Sequence, residues 1–257
     1  MCLSYRTRWL PKAGSSVGEY EDAFAPARAR PAHAVARKRF AVADGASESL
    51  LAGQWARLLV RTFCGAASDA APASVFANAL ARWPEVLTEY LQGRERRGEP
   101  IQWFEQPGLE RGAFSTFVGL QLDADRRPRR FTALAVGDSC LLHFRAGQLC
   151  DAFPREPGDS FDATPPLICS NMTNSGSIAA GALQREGTFQ AGDIFLLVTD
   201  AVAAWFLDAQ AGGRGSWARS FFEAATRRDF NSWVRDLRND GSMRNDDVTV
   251  MQIRVEA

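Results

Sequence analysis

The chain has 257 residues, with 30 lysines and arginines against 30 aspartates and glutamates, so its formal charge is zero. Hydrophobic residues make up 46% and charged residues 23%, which excludes a disordered or fibrous chain. With no basic excess to neutralise phosphates, an electrostatic nucleic-acid binder is excluded as well. The length suits one domain over residues 1–257 around one core. The start, Met1 to Arg6, lacks the apolar run of a signal peptide. The longest apolar run, Ala201 to Leu207, is too short to span a bilayer, so a cytoplasmic chain without membrane association is expected. Cys2, Cys64, Cys140, Cys150 and Cys169 are scattered without CxxC spacing and read as reduced thiols. His33 and His143 are too few for a histidine-rich zinc site.

In chain order, Ala25 to Arg39 is rich in Ala, Arg and Pro and reads as a solvated basic loop carrying Arg28, Arg30, Arg37, Lys38 and Arg39. Phe40 to Ala43 is a short strand that stops at Asp44-Gly45. Leu51, Trp55, Leu58 and Leu59 predict a helix from about Glu48 to Phe63. Phe76, Leu80, Trp83, Leu87 and Leu91 form a second stripe, which Pro84 is expected to divide in two. Gln92 to Arg111 reads as irregular. Strands are predicted over Phe114–Leu122 and Phe131–Val136, and a hairpin over Cys140–Arg145 and Gln148–Cys150. A proline-rich loop covers Phe153 to Gly181. Ala191-Gly192-Asp193 turns into a strand over Ile194–Val198. Trp217, Phe221, Phe222 and Ala225 suggest a helix, resumed by Trp233, Val234 and Leu237, and Val248–Ile253 is the last strand. Strands in consecutive hairpins with helices in blocks indicate an α+β fold.

The chemical signal lies in the acids. Asp44 and Asp200 end strands, Asp246-Asp247 begins one, Asp138 sits between two, and Glu21-Asp22 lies near the start. Carboxylates converging from strand ends repel one another and raise one another's pKa. A pair of divalent cations removes that penalty, and an all-oxygen, carboxylate-rich set suits Mg²⁺ or Mn²⁺. Two such ions activate a water for attack on phosphorus. Asp193 and Asp240 read as turn acids, and His143 as a packed residue rather than a general acid.

Glu21-Asp22-Ala23-Phe24, Val42-Ala43-Asp44-Gly45, Val136-Gly137-Asp138-Ser139, Leu197-Val198-Thr199-Asp200 and Asn245-Asp246-Asp247-Val248-Thr249-Val250, in that order, resemble the metal-dependent type 2C protein phosphatases (PPM-type domain). The resemblance runs from about Glu19 to Val255. It implies a four-layer αββα sandwich of two antiparallel sheets with helices on both outer faces. It also implies a serine/threonine phosphatase acting through water at a binuclear Mn²⁺ or Mg²⁺ centre. Asp44 matches the aspartate that bridges the two metals, and Gly45 the glycine lending its carbonyl. Asp200 and Asp246 match the pair holding one metal, and Glu21 and Asp22 the acids supporting the other. Asp138 matches the aspartate of a third, looser metal. By the same analogy the partners are a phosphorylated protein and a cognate serine/threonine kinase, and the loop around Asn171 is a flap that sets substrate choice.

The chain departs from that pattern at several positions. Val17 stands where an arginine usually grips the phosphate, four residues before Glu21, leaving Lys12, Arg6 or Arg8 as candidates. Ala46 and Ala201 replace the usual glycines, and Asp247 replaces an asparagine. These changes keep two alternatives open. One is a pseudophosphatase or binding module of the same fold; the other, more remote, is an N-terminal-nucleophile amidohydrolase using Cys2.

Overall fold

The computed structural model describes residues 2–256 apart from 27–36, 68–69, 72–73, 126, 162–163, 172–180 and 215–225, and only the backbone of residue 37. In chain order the strands are β1 (Leu3–Leu10), β2 (Ala23–Ala25), β3 (Arg37–Ala43), β4 (Phe114–Ser115), β5 (Phe117–Asp123), β6 (Arg130–Val136), β7 (Cys140–Arg145), β8 (Gln148–Phe153), β9 (Ile168–Cys169), β10 (Leu183–Thr188), β11 (Ile194–Val198) and β12 (Val248–Val255). The helices are α1 (Ala52–Gly65), α2 (Ser74–Arg96), α3 (Gln106–Arg111), α4 (Asp200–Ala211) and α5 (Arg227–Asn239).

One five-stranded sheet runs β1-β12-β11-β7-β8 and the other β10-β6-β5-β3-β2, both wholly antiparallel, with β4 and β9 forming a small third sheet. The two large sheets face each other across Phe40, Val42, Leu120, Leu122, Phe195, Leu197, Met251 and Ile253. α1 and α2 cover the outer face of the second sheet through Trp55, Leu59, Phe63, Phe76 and Trp83. α4 and α5 cover the first through Val202, Phe206, Phe230 and Trp233. The expected four-layer αββα sandwich is the fold observed.

Residue alternation along the strands explains the layering. On β5, Val118, Leu120 and Leu122 point between the sheets while Phe117 points to the helices. Gly119 lies on the helix side, where a Cβ would come within 2.8 Å of the Phe63 ring, so its lack of a side chain lets α1 sit close. The ring of Phe63 stacks edge-on against Phe117 at 5.4 Å.

Several expectations change. Arg37, Lys38 and Arg39 belong to β3, not to a loop. Arg39 is buried, donating to Gln121 Oε1 at 2.7 Å and to the Phe63 carbonyl, with its guanidinium over the Phe63 ring. α2 runs unbroken through Pro84. That residue is exposed, and Phe76, Leu80 and Trp83 hold the buried face. Residues 201–207 form α4. It is apolar nearly all round because the sheet and α5 enclose it, which leaves no amphipathic period to read. α3 lies in the stretch expected to be irregular. The helix expected around Trp217 to Ala225 and the charges at Arg28 and Arg30 lie outside the described residues, as does His33. Trp233, Val234 and Leu237 fall on α5, whose start is closed by a reciprocal Thr226–Asp229 cap. All five cysteines are free thiols. No helix among the described residues is long and apolar enough to cross a membrane.

His143 and Asp193 are structural. His143 stacks on Phe195 with ring centroids 4.2 Å apart, and its Nε2 lies 2.9 Å from Asp193 Oδ2. Arg145 grips the same carboxylate with Nε at 3.0 Å and Nη2 at 2.8 Å, and the Gln190 amide donates to it. Burial lowers the imidazole pKa, against the pull of Asp193, so His143 is neutral and Arg145 is the counter-ion. Burial opposes ionisation of Asp193, but the hydrogen bonds from Arg145, His143 and Gln190 together hold its carboxyl below the ordinary range. Both shifts act in the same direction. As pH falls, the unfolded chain takes up each proton first, so stability drops below about 6.5 for His143 and again below about 3.9 for Asp193. Asp193→Asn should therefore cost about 2–3 kcal/mol at neutral pH, with the difference from wild type shrinking below about pH 3. Denaturant melts across pH check this, and a pH-independent difference would remove the ion pair from the account.

Candidate metal centre

Strand register brings the acids to one end of the sandwich. Val198 pairs with both Cys140 and Val250, so the end of β11 and the starts of β7 and β12 lie side by side. In the facing sheet Val136 pairs with Phe117, Val42 with Val118 and Ala43 with Ala23, bringing the ends of β3 and β6 and the start of β2 together. Asp44, Asp138, Asp200 and Asp246 stand on these ends, with Asp22 just before β2.

Asp22, Asp44 and Asp200 are held by neighbours from distant parts of the chain. Asp22 is 2% exposed. Its Oδ2 accepts from Thr199 Oγ1 at 3.1 Å and Thr249 Oγ1 at 2.7 Å, and the Tyr20 hydroxyl bonds Thr249 in turn. Thr199 also caps α4 and accepts from the Thr249 amide. Asp200 occupies the first turn of α4, where the helix dipole favours its charge, and Arg244 Nη2 donates to its Oδ2 at 2.9 Å. Asp44 ends β3, with its carbonyl taken by the Thr116 amide and the Ser115 hydroxyl. Gly45 is required by packing: a Cβ there would lie 2.8 Å from the Ala52 carbonyl carbon and 2.9 Å from the Glu21 carbonyl oxygen. Gly137 has φ +92° and space for no side chain against Thr116, so it turns β6 into Asp138.

The electrostatics are those of carboxylates crowded together. Burial raises the Asp44 pKa well above the carboxylate range, and Asp22, Asp200, Asp246 and Asp138 push it further. Asp22 is raised by burial and then by Asp247 and Asp200. Asp138 is pushed up to about 6 by burial and by Asp200, against Arg244 and Arg155. Asp200 is raised by burial, with Arg244 opposing. Burial raises Glu21 too.

A divalent cation fits this donor set. Asp22 Oδ1 and Asp138 Oδ1 are buried oxygens with no hydrogen-bond donor, and such groups are costly unless something electropositive meets them. The donors are all hard oxygens, as Mg²⁺ and Mn²⁺ prefer. Among the described residues no three acidic, histidine or cysteine side chains close around one point as they stand. Asp200 instead gives Oδ2 to Arg244.

The remaining sequence candidates divide by position. Lys12 lies at the acid end, its Nζ 2.9 Å from Ser47 Oγ and 3.7 Å from Glu21 Oε2. Arg6 is mid-strand on β1, donating to Gln252 Oε1 at 2.6 Å, and Arg8 is buried towards Asp229. Neither is brought to the cluster. Asp247 does not add a bare charge: its two oxygens accept the Lys12 and Glu21 amides at 2.8 and 2.7 Å, bracing the segment that carries the acidic pair. Asn171 donates to the Glu110 carbonyl, and residues 172–180 of the expected flap lie outside the described residues. Asp240 is a turn acid, accepting from the Ser242 amide. Cys2 is exposed at the far end of β1, beside Glu256. Sequence reading did not find Tyr20, Thr199, Thr249 and Arg244. Their partners lie 44 to 229 residues away, and hydroxyls or an arginine in a loop carry no local signal.

No protein-family model and no curated protein sequence matches the chain. Solved structures match over its whole length. The serine/threonine phosphatase PstP/Ppp of Mycobacterium tuberculosis is 18% identical, with 99% of each chain covered and a TM-score of 0.54. The catalytic domain of the serine/threonine protein phosphatase PstP in complex with two manganese ions is 17% identical, again with 99% of each chain covered, at 0.51. RsbX in complex with magnesium is 16% identical, covering 99% of this chain and 96% of that one, at 0.52. The chain has the fold of the PP2C-type phosphatases.

Proposed function

We propose that the chain is a metal-dependent phosphomonoesterase acting on phosphoserine and phosphothreonine in proteins. The observation that carries this reading is the cluster of Asp22, Asp44, Asp138 and Asp200, four carboxylates raised by burial and by their acidic neighbours, with Arg244 offsetting the charge of Asp200. Likeness to structures solved with two manganese ions or with magnesium supports the same reading. Asp44, Asp200 and Asp246 would hold one ion; Asp44, the Gly45 carbonyl, Glu21 and Asp22 the other; and Asp138 would face a looser third. Bound Mn²⁺ or Mg²⁺ supplies positive charge for the phosphoryl oxygens and lowers the pKa of water.

The chain's own residues do the rest. Thr199 and Thr249 fix the Asp22 carboxylate so that Oδ1 is its free face. Asp247 holds the Glu21 backbone in place. Lys12 puts a cation at the rim, where it balances the phosphoryl charge. The partner is a phosphorylated protein, with a cognate kinase as its counterpart.

Hydrolysis of p-nitrophenyl phosphate by the purified chain tests this. Turnover is expected with Mn²⁺, none in EDTA, and at least about a hundredfold less in Asp200→Ala, equivalent to ~3 kcal/mol of barrier. Turnover indifferent to EDTA would refute the reading. Ion binding without turnover would favour the binding module, a reading that the Arg244 contact on Asp200 keeps in view.

A further inference from the structure

With Val17 apolar and 67% exposed, the phosphate needs another grip. A cavity of about 300 Å³ opens beside the acidic pair, walled by Lys12, Glu19, Glu21, Leu51, Gly53 and Arg57. Arg57 stands out among its walls. It is half-buried in α1, and among the described residues its guanidinium has no hydrogen-bond or ion-pair partner. Neither carboxylate in the walls pairs with Arg57: Glu19 accepts from the Ser16 amide and hydroxyl, and Glu21 faces Lys12 within the same cavity.

Gly53 explains how the guanidinium fits. A Cβ there would lie 3.3 and 3.5 Å from the two Arg57 Nη atoms and 3.2 Å from Glu21 Cα. The guanidinium therefore lies beside Gly53 at the start of α1, and a side chain at position 53 would press on it. Of the other arginines near the cluster, Arg244 is committed to Asp200 and Arg238 to the Pro11 carbonyl, while Arg155 acts on Asp138 and is not among the walls of this cavity. A half-buried cation without a counter-charge is unfavourable in isolation, and a planar five-donor fork matches phosphate oxygens two at a time.

We propose that Arg57, with Lys12 across the cavity, is the phosphate-binding subsite of this chain, taking the phosphoryl oxygens of the substrate in place of the arginine that Val17 displaces. The proposal rests on the hydrolase reading above. Its test is calorimetric binding of inorganic phosphate to wild type, Arg57→Gln, Arg57→Lys and Lys12→Gln, each with and without Mn²⁺. Mn²⁺ titration and p-nitrophenyl phosphate kinetics are run on the same samples.

Arg57→Gln is expected to weaken phosphate about tenfold, the loss of one charge-assisted contact, and to raise KM in step. Arg57→Lys should recover only part of that, because it restores the charge without the fork. Mn²⁺ affinity should be unchanged in both, since Arg57 touches none of the acids assigned to the ions. Wild-type phosphate affinity in Arg57→Gln, in a protein that binds Mn²⁺ and turns over, would overturn the subsite alone. Absence of phosphate binding in a wild-type protein that binds Mn²⁺ and turns over would overturn the subsite alone, and absence of Mn²⁺ binding in wild type would overturn both readings.

Discussion

Replacing Asp44 with asparagine is expected to make the ion-free protein more stable and the ion-loaded protein inactive. Asp44 is raised further from the carboxylate range by four like charges after burial has already raised it, so its ionised form opposes folding when no cation is present. Asparagine keeps the shape, removes the charge and can donate to the neighbouring Asp200. The gain should be about 1–2 kcal/mol in EDTA, a rise of about 3–6 °C in melting temperature for a chain of this size. Adding Mn²⁺ should raise the melting temperature of wild type and leave Asp44→Asn nearly unmoved. A site built for stability would give the opposite result, a lower melting temperature for Asp44→Asn in EDTA.

Gly45→Ala is the second substitution with a large expected effect. Two of the atoms its methyl would meet, the Ala52 carbonyl carbon at 2.8 Å and the Glu21 carbonyl oxygen at 2.9 Å, are backbone, so no side chain can swing away. Either β3 or the Glu21 segment must move, and both carry site acids. We expect a loss of about 2–3 kcal/mol, some 5–8 °C in melting temperature, together with loss of turnover. Gly65→Ala at the end of α1, where a Cβ meets nothing within 4 Å, is the control and should be neutral or slightly stabilising. Equal behaviour of the two variants would mean that the contact at Gly45 is looser than described.

What could be read from the sequence follows from where pattern exists. The interior strands and α1 were legible because burial writes period 2 or 3.6 into the chain, as in Phe131–Val136 or Leu51, Trp55 and Leu59. β1, β2 and β10 were not, because each is the edge of its sheet. β10, Leu-Gln-Arg-Glu-Gly-Thr, is mostly exposed and has no apolar face, and β1 alternates cations with partly buried residues. α4 failed for the opposite reason, its long apolar run from Ala201 to Leu207 being mostly buried, with Asp208 exposed. The acids at Asp44, Asp138, Asp200 and Asp246 were legible as a set because each follows or precedes a recognisable strand. Asp247 was visible only as an extra charge. Its task of accepting the Lys12 and Glu21 amides spans more than 220 residues of sequence, and no local pattern encodes it. Arg57 sits on a helix already assigned to the core by its apolar stripe, so only the cavity beside it gave it a role.

The strand-end carboxylates are proposed to form a two-ion centre. Calorimetric titration of Mn²⁺ into the EDTA-treated, dialysed chain tests it most directly, with Asp200→Ala in parallel. We predict two ions bound per wild-type chain and the loss of at least one in Asp200→Ala. No heat of binding in folded wild-type protein, or an isotherm unchanged by Asp200→Ala, would contradict it.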